Sequence, residues 1–402
     1  MNPALIVINA GSSSLKFQVF DLRDDAEPGL VWKGMYEGLG GSAHFVAKGP
    51  DGDVLDEATW SSSPRFGHED ALLHLVSWLS RFREQRRPIA IGHRVVHGGE
   101  AFSQPVLIDE AVLQKLETLV PLAPLHQPHN LEPIGIVRRR LPGMPQVACF
   151  DTAFHQTQSD IATLFALPRE VRDRGARRYG FHGLSYDYIA SVLKEFHPRL
   201  ATGRVIVAHL GNGASLCALE SGTSVATTMG FSALDGLPMG TRCGAIDAGV
   251  VFYMLREMKL GPEQAERMLY TKSGLLGVSG VSNDMRILRA EAEANPDARR
   301  AIDLFVYRIT REIGSLVAAL GGLDGLVFTA GIGENDPLTR AAVIAGLSWT
   351  GMALDGAANR TGGPCISSGS GPTAWVIPTN EELVIARQTQ SVLGAIRAKV
   401  AS

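Results

Sequence analysis

The sequence predicts an α/β protein made of two related halves. Three observations point there: apolar runs that end in glycine turns at three places, a match between the first two of these, and helical periodicity in the segments between.

The first run is Leu5–Asn9, followed by Ala10-Gly11-Ser12-Ser13-Ser14. The second is Val205–Leu210, followed by Gly211-Asn212-Gly213. The third is Leu326–Ala330, followed by Gly331-Ile332-Gly333-Glu334-Asn335. Short apolar runs flanked by glycine read as buried strands. IVINAGSSSLKFQVF lies over IVAHLGNGASLCALE without a gap, with Asn9 on His209, Gly11 on Gly211 and Ser12 on Asn212. A second strand follows each turn, so both read as β-hairpins with small, open tips, and the match points to an internal duplication.

Helices follow from apolar spacing. Glu69–Phe82 places Leu72, Leu73, Val76, Leu79 and Phe82 on one face. Ala301–Leu320 does the same with Ile302, Phe305, Ile309, Ile313, Leu316 and Leu320. Near the C-terminus, Asn380 is a helix cap, and Glu381 and Glu382 fall in the first turn, where acids suit the helix dipole. Pro121–Pro128 and Thr361–Pro372 read as loops. Neither a Walker G-x-x-x-x-G-K-[ST] nor a G-x-G-x-x-G leading from strand to helix occurs, so any nucleotide would be held by hairpin tips.

Length and composition set the class. The chain has 402 residues, room for two domains at roughly 100–200 residues each. A net charge of -3 with no basic block argues against nucleic acid. The N-terminus lacks a basic n-region, and no run approaches the ~18 apolar residues of a membrane span. Cys149, Cys217, Cys243 and Cys365 form no C-x-x-C pair and read as reduced thiols of a cytoplasmic protein.

Several residues have the chemistry to handle anions. The Gly11–Ser14 tip offers backbone N–H groups and hydroxyls, with Lys16 on the outgoing strand. Arg94 interrupts an apolar run, and Arg242 sits between glycines; both a salt bridge and recognition of carboxylate or phosphate are open to them. His126, His182 and His209 lie among glycine, proline or aromatic residues, where structural and functional roles are both open. Asp151 follows the run Val147–Phe150, at a strand end where α/β proteins place ligands.

Nine segments in order, INAGSSSLK, GHRVVHGGE, APLHQP, FDTAFH, RRYGFHG, AHLGNGAS, MGTRCGAID, FTAGIGEN and PTNEEL, resemble the acetate kinase family from Ile6 to Glu382. That family belongs to the acetate/sugar kinase, chaperone ATPase and actin superfamily. The resemblance implies an α/β, duplicated ribonuclease-H-like (actin-like ATPase) fold with two domains and an interdomain active-site cleft. The N-terminal domain would span 1–152 plus 382–402, and the nucleotide-binding domain 153–381. It implies reversible transfer of the ATP γ-phosphoryl group to acetate, giving acetyl phosphate and ADP, with Mg²⁺ (Mn²⁺ as a substitute), in a cytoplasmic homodimer acting on small molecules.

By the same resemblance Asn9 and Glu381 bind the metal, and Arg94 binds the substrate carboxylate. Val96, Leu125, Phe181 and Ala233 line the acyl pocket. His182 and Arg242 stabilise the transition state with support from His126, and Asp151 carries a proton donor/acceptor label. Ser12, Ser14, Lys16, His209, Leu210, Gly211, Asn212, Gly213, Asp284, Met285, Arg286, Gly331, Ile332, Gly333, Glu334 and Asn335 form the nucleotide site. Acetate is already ionised at pH 7, with a pKa of about 4.3 like that of glutamate, and needs no general base. Asp151 is therefore read instead as positioning Arg94 or a metal-bound water.

The chain departs from the family pattern at a few places. Gly183-Leu184-Ser185-Tyr186 stands where Gly-Thr-Ser-His is usual, Cys243 replaces a common serine, and Ala233 replaces a proline. Alanine at 233 would widen the acyl pocket, making a propionate or other short-chain acyl kinase the near alternative. A nucleotide-gated ATPase of the same superfamily, without kinase activity, is the distant one.

Overall fold

The computed structural model describes residues 2–22, 26–61, 66–82 and 84–401. Residues 1 and 402, the outer limits of the expected N-terminal domain, lie outside this set. The chain divides into two compact units, Met1–Ala153 with Asn380–Ser402, and Phe154–Thr379.

The first unit is built on an eight-stranded sheet. Its strands are β1 (Asn2–Ala10), β2 (Ser14–Asp21), β3 (Gly29–Glu37), β4 (Ala43–Lys48), β5 (Val54–Trp60), β6 (Arg86–Val95), β7 (Val106–Leu107) and β8 (Gln146–Phe150), in the order β5-β4-β3-β2-β1-β6-β8-β7. The central strand β1 is buried from Ala4 to Ile8, as its unbroken apolar run requires. The strand β4 alternates buried and half-buried residues, the pattern of an antiparallel strand covered on one face. Helix His68–Ser80 covers the sheet with Leu72, Leu75 and Trp78, and Trp78 packs among Phe17, Trp32 and Phe45. Leu73 and Val76, expected on its buried face, are exposed instead.

The second unit has a five-stranded sheet of β9 (Arg204–Leu210), β10 (Ala214–Glu220), β11 (Thr223–Thr227) and β12 (Gly325–Thr329), a small ribbon of β13 (Ala353–Leu354) with β14 (Ser367–Ser368), and β15 (Thr373–Val376), which completes the sheet in the order β11-β10-β9-β12-β15. The long helix Pro296–Leu320 begins where Asn295 Oδ1 accepts from the Asp297 and Ala298 amides. It ends at Gly321, whose left-handed φ of 68° suits a residue without a Cβ. Its six predicted core residues, Ile302 to Leu320, are all buried.

The duplication is visible in the topology. The orders β3-β2-β1-β6-β8 and β11-β10-β9-β12-β15 match, with antiparallel pairing along the first three strands and parallel pairing along the last three. The gapless alignment, however, holds only up to the tips. Asn9 pairs with Lys16, whereas His209 pairs with Ser215. The first tip is therefore one residue longer, and the structural counterpart of Lys16 is Ser215, not Leu216. The third glycine segment also differs from expectation. It is not a turn but a short helix, Ala330–Asn335, entered through Ala330 at a φ of 65°.

Three buried histidines make the fold acid-sensitive. Burial pushes His93, His97 and His155 down to about 4, and the hydrogen bonds that His93 Nε2 donates to Gln146 Oε1 and His155 Nε2 donates to the Phe181 carbonyl only partly oppose this. Each is neutral when folded, and each takes up a proton in the unfolded chain below pH ~6.5. Stability is therefore full above that value and falls as pH drops from about 6.5 to about 4, by up to roughly 3 kcal/mol per group. The urea midpoint is expected to fall steeply between pH 6.5 and 4.5. An unchanged midpoint across that window contradicts the neutral buried state.

Candidate active site

In the first unit the chemistry gathers where β1, β6 and β8 end. Arg94 lies on β6 beside the end of β8, which places it against Asp151. Arg94 Nε donates to Asp151 Oδ1 at 3.2 Å and Nη2 donates to Oδ2 at 2.5 Å. The Asp151 side chain is 1% exposed. Burial pushes the Asp151 carboxyl up and the guanidinium works against it. Burial also opposes the charge on Arg94, but the Asp151 and Glu381 carboxylates outweigh that and raise its pKa. A two-point pair with a permanently charged fork leaves Asp151 an ionised acceptor at neutral pH.

This pairing occupies the Nε side of the guanidinium. Nη1 reaches Asn9 Oδ1 at a long 3.4 Å, so the Nη1–Nη2 edge retains donors for a second carboxylate. Glu381 opens the C-terminal helix Glu381–Ala401, with Asn380 Oδ1 accepting from the Leu383 amide as the expected cap. Burial first, and then Asp151 and Glu382, push the Glu381 carboxyl up to about 7, against the pull of Arg94 and Lys16.

Two residues that sequence reasoning overlooked brace this corner. Asn130, on helix Gln127–Arg140, donates to the Ala10 carbonyl at 2.7 Å and accepts from the Val96 amide at 2.8 Å. Gln127 bonds both backbone groups of His97. Their only signal was position, Gln127 just after His126 in the APLHQP segment and Asn130 two residues beyond it. His126 precedes that helix, Val96 is buried and Leu125 is exposed. Ser12 and Lys16 are exposed and Ser14 half-buried around the first tip.

The second unit carries the remaining predicted groups. His182 stands at the start of helix Gly183–Phe196 with a φ of 58°, a left-handed conformation rare for a residue with a Cβ. Phe181 is buried beside it, and its carbonyl accepts from His155 Nε2 at 3.0 Å. The His182 ring stacks on His209 with centroids 4.2 Å apart. Gly213, at the second tip, has no side chain because the space is taken: a Cβ there would lie 3.1 Å from His182 Nε2 and 3.8 Å from Arg242 Nη1. The tip thus brings His182 and Arg242 to one point. Arg242 Nη1 donates to the Ala233 carbonyl at 3.0 Å.

A pocket of about 650 Å³ lies beside this tip. Gly211 and Asn212, Asp284–Arg286, and Gly331, Ile332 and Asn335 line it, so three separated segments of the sequence meet there. Asn283, Arg289 and Asp336 also line it and were not foreseen. Arg289 pairs with Asp336 at 3.2 Å, and Asp284 caps its own helix while binding Arg286. Its size and polar rim suit a nucleoside-sized ligand. Leu210, Gly333 and Glu334 do not line it. Leu210 and Gly333 are buried, and the Glu334 carboxylate accepts from the Ala330 and Thr379 amides, holding the strand-to-helix junction.

A model of the acetokinase family matches residues 4–387. The chain belongs to the acetokinase family. Among relatives in this family, the acetate kinase of Nitrobacter hamburgensis is 49% identical, covering 97% of this chain and 96% of its own. That of Rhodopseudomonas palustris is 48% identical, covering 96% and 98%. Two solved structures of the family are similar throughout. A propionate kinase from Francisella tularensis has a TM-score of 0.90 at 36% identity, covering 97% of this chain and 100% of its own. An acetate kinase from Porphyromonas gingivalis has a TM-score of 0.86 at 35% identity over the same shares. The fold is accordingly the duplicated actin-like ATPase fold of the family. No helix among the described residues is long and apolar enough to cross a membrane.

Proposed function

We infer that the protein transfers the γ-phosphoryl group of ATP to acetate, reversibly, giving acetyl phosphate and ADP. The near full-length match to the acetokinase family carries this reading. The Arg94–Asp151 pair supports the choice of a carboxylate as acceptor. The guanidinium offers its free edge to the acid, and Asp151 holds it in place.

A carboxylate oxygen attacks the γ-phosphorus in line while the bond to the bridging oxygen of ADP breaks. Two anions approach, so cancelling charge is the main task. His182 and Arg242, brought together at Gly213, supply donors to the equatorial oxygens, and His126 supports them. Lys16, Ser12 and Ser14 approach the phosphates. The pocket beside the second tip takes the nucleoside, with Arg286 and Asp284 at its rim.

Asn9 and Glu381 fit a hard divalent cation such as Mg²⁺. Both offer oxygen, and the Glu381 carboxylate is destabilised by burial and by Asp151 in a way that a cation would relieve. Bound there, Mg²⁺ would neutralise phosphate charge. The protein is further read as cytoplasmic and homodimeric. Exposed Ile246, Val250, Phe252 and Tyr253 support self-association, and light scattering at the mass of two chains is the expected result.

The test is acyl-phosphate formation from Mg-ATP, trapped with hydroxylamine, for acetate, propionate and butyrate in parallel. Acetate is expected to give the highest kcat/KM. No product with any acid, with ATP still bound, would instead indicate a nucleotide-gated ATPase. The second reading, propionate, rests on Ala233, whose carbonyl also anchors Arg242. Ala233→Pro is expected to lower the propionate-to-acetate ratio of kcat/KM by about tenfold, the scale of one methylene. An unchanged ratio removes residue 233 from the acyl pocket.

A further inference from the structure

His182 is fixed by a chain of buried hydroxyls. Its Nδ1 lies 2.8 Å from Ser215 Oγ, and Ser215 Oγ lies 2.5 Å from the Tyr186 hydroxyl. Ser215 and Tyr186 are both fully buried. The two partners come from different elements. Ser215 is the second residue of β10, directly across from His209, and Tyr186 lies one turn into the helix that His182 begins. Nε2, the other ring nitrogen, faces Gly213.

We propose that Tyr186 and Ser215 form a positioning relay that holds the proton of His182 on Nε2, the nitrogen aimed at the transferring phosphoryl group. Three groups in a row leave two possible directions for the hydrogen bonds. The phenol is the strongest acid of the three, with a pKa near 10, and the imidazole nitrogen is the strongest base. The favoured direction runs from the Tyr186 O–H to Ser215 Oγ, and from the Ser215 O–H to Nδ1. Nδ1 is then an acceptor, and neutral His182 carries its hydrogen on Nε2.

The relay occupies one of the places where this chain departs from its family. Tyr186 stands where the family pattern has histidine, and a ring that donates through its tip replaces another that can do so. The neighbouring residue serves the second imidazole of the stack: Ser185 Oγ lies 2.8 Å from His209 Nδ1 and donates to Thr379 Oγ1. Consecutive positions of one helix thus back two stacked histidines by separate hydroxyl chains.

This inference rests on the reading of His182 as a donor in the reaction, and the variants separate the two. His182→Gln tests that reading, and Tyr186→Phe and Ser215→Ala test the relay. Tyr186→Phe keeps the ring packed against Phe154 and His155 and removes only the hydroxyl. The expected result is a fall in kcat of about tenfold in either relay variant, the scale of one hydrogen bond. KM for ATP and acetate and the melting temperature should stay near those of the wild type. The double variant should be no worse than Ser215→Ala alone. Nitrogen-15 spectra, with His182 assigned by its loss in His182→Gln, should show Nε2–H in the wild type and a shift toward Nδ1–H in both relay variants. An unmoved tautomer or an unmoved kcat in Ser215→Ala overturns the relay even if Tyr186→Phe fails to fold. Wild-type turnover in His182→Gln overturns the underlying reading instead.

Discussion

Arg242→Ala is expected to lower kcat by about 10³-fold or more while leaving the affinity for ATP within about threefold, as follows from the proposed action of this arginine on charge that develops in the transition state. The geometry gives the reason for the split. Arg242 meets His182 at Gly213, whereas the nucleoside pocket is lined by Asn212, Asp284–Arg286 and the helix after β12. Removing the guanidinium deletes a donor at the tip and leaves the pocket wall intact. Arg242→Lys is expected to recover only part of the loss, since an ammonium lacks the planar fork. Steady-state kinetics combined with equilibrium ATP binding checks both statements. Equal losses in turnover and affinity would place Arg242 in ground-state binding.

Arg94→Ala is expected to damage both activity and stability. On the proposed reading the acid loses a two-point, charge-assisted contact, which predicts a fall in kcat/KM for acetate of about 10²- to 10³-fold. The protein also keeps a buried Asp151 with its cation gone, a change that costs roughly 3–5 kcal/mol when a buried pair is broken from one side. Asp151→Asn separates the two effects. It preserves shape and one acceptor but loosens the fork, so KM for acetate is expected to rise while the melting temperature changes less than in Arg94→Ala. If Asp151→Asn kept both the wild-type acetate KM and the wild-type Mg²⁺ dependence, the positioning role of Asp151 would be ruled out.

Much of this fold was legible in the sequence because its central strands are buried on both faces and therefore read as unbroken apolar runs. The runs of β1, β9, β10 and β12 belong to that class, whereas the helix over residues 301–320 was legible from its periodic apolar face. The helix after β12 was not legible. Its entry depends on Ala330 adopting a left-handed φ, for which alanine carries no signal, and the capping acid Glu334 follows rather than precedes the junction. The alignment of the tips failed for a related reason: similarity of residue type says nothing about how many residues a turn consumes.

The site divides similarly. Arginine in an apolar run or between glycines and histidine beside glycine stand out in a sequence, and Arg94, Arg242 and His182 were singled out that way as candidates. Asn130, Ser185, Ser215 and Tyr186 look like ordinary residues of helices and strands. Their hydrogen bonds join positions 24 to 194 residues apart in the chain, and only the fold reveals them.

The one-residue difference between the tips limits how the duplicated halves can exchange material. A crossover that carries a whole hairpin, tip and outgoing strand together, keeps each strand in register with its partner. A crossover just beyond the tip, guided by the gapless alignment, joins the longer tip to the strand made for the shorter one and displaces it by one position. Because side chains alternate from face to face, that displacement presents the interior residues of β10 on its wrong side. Exchange between the halves that keeps the strands in register is therefore confined to complete hairpins.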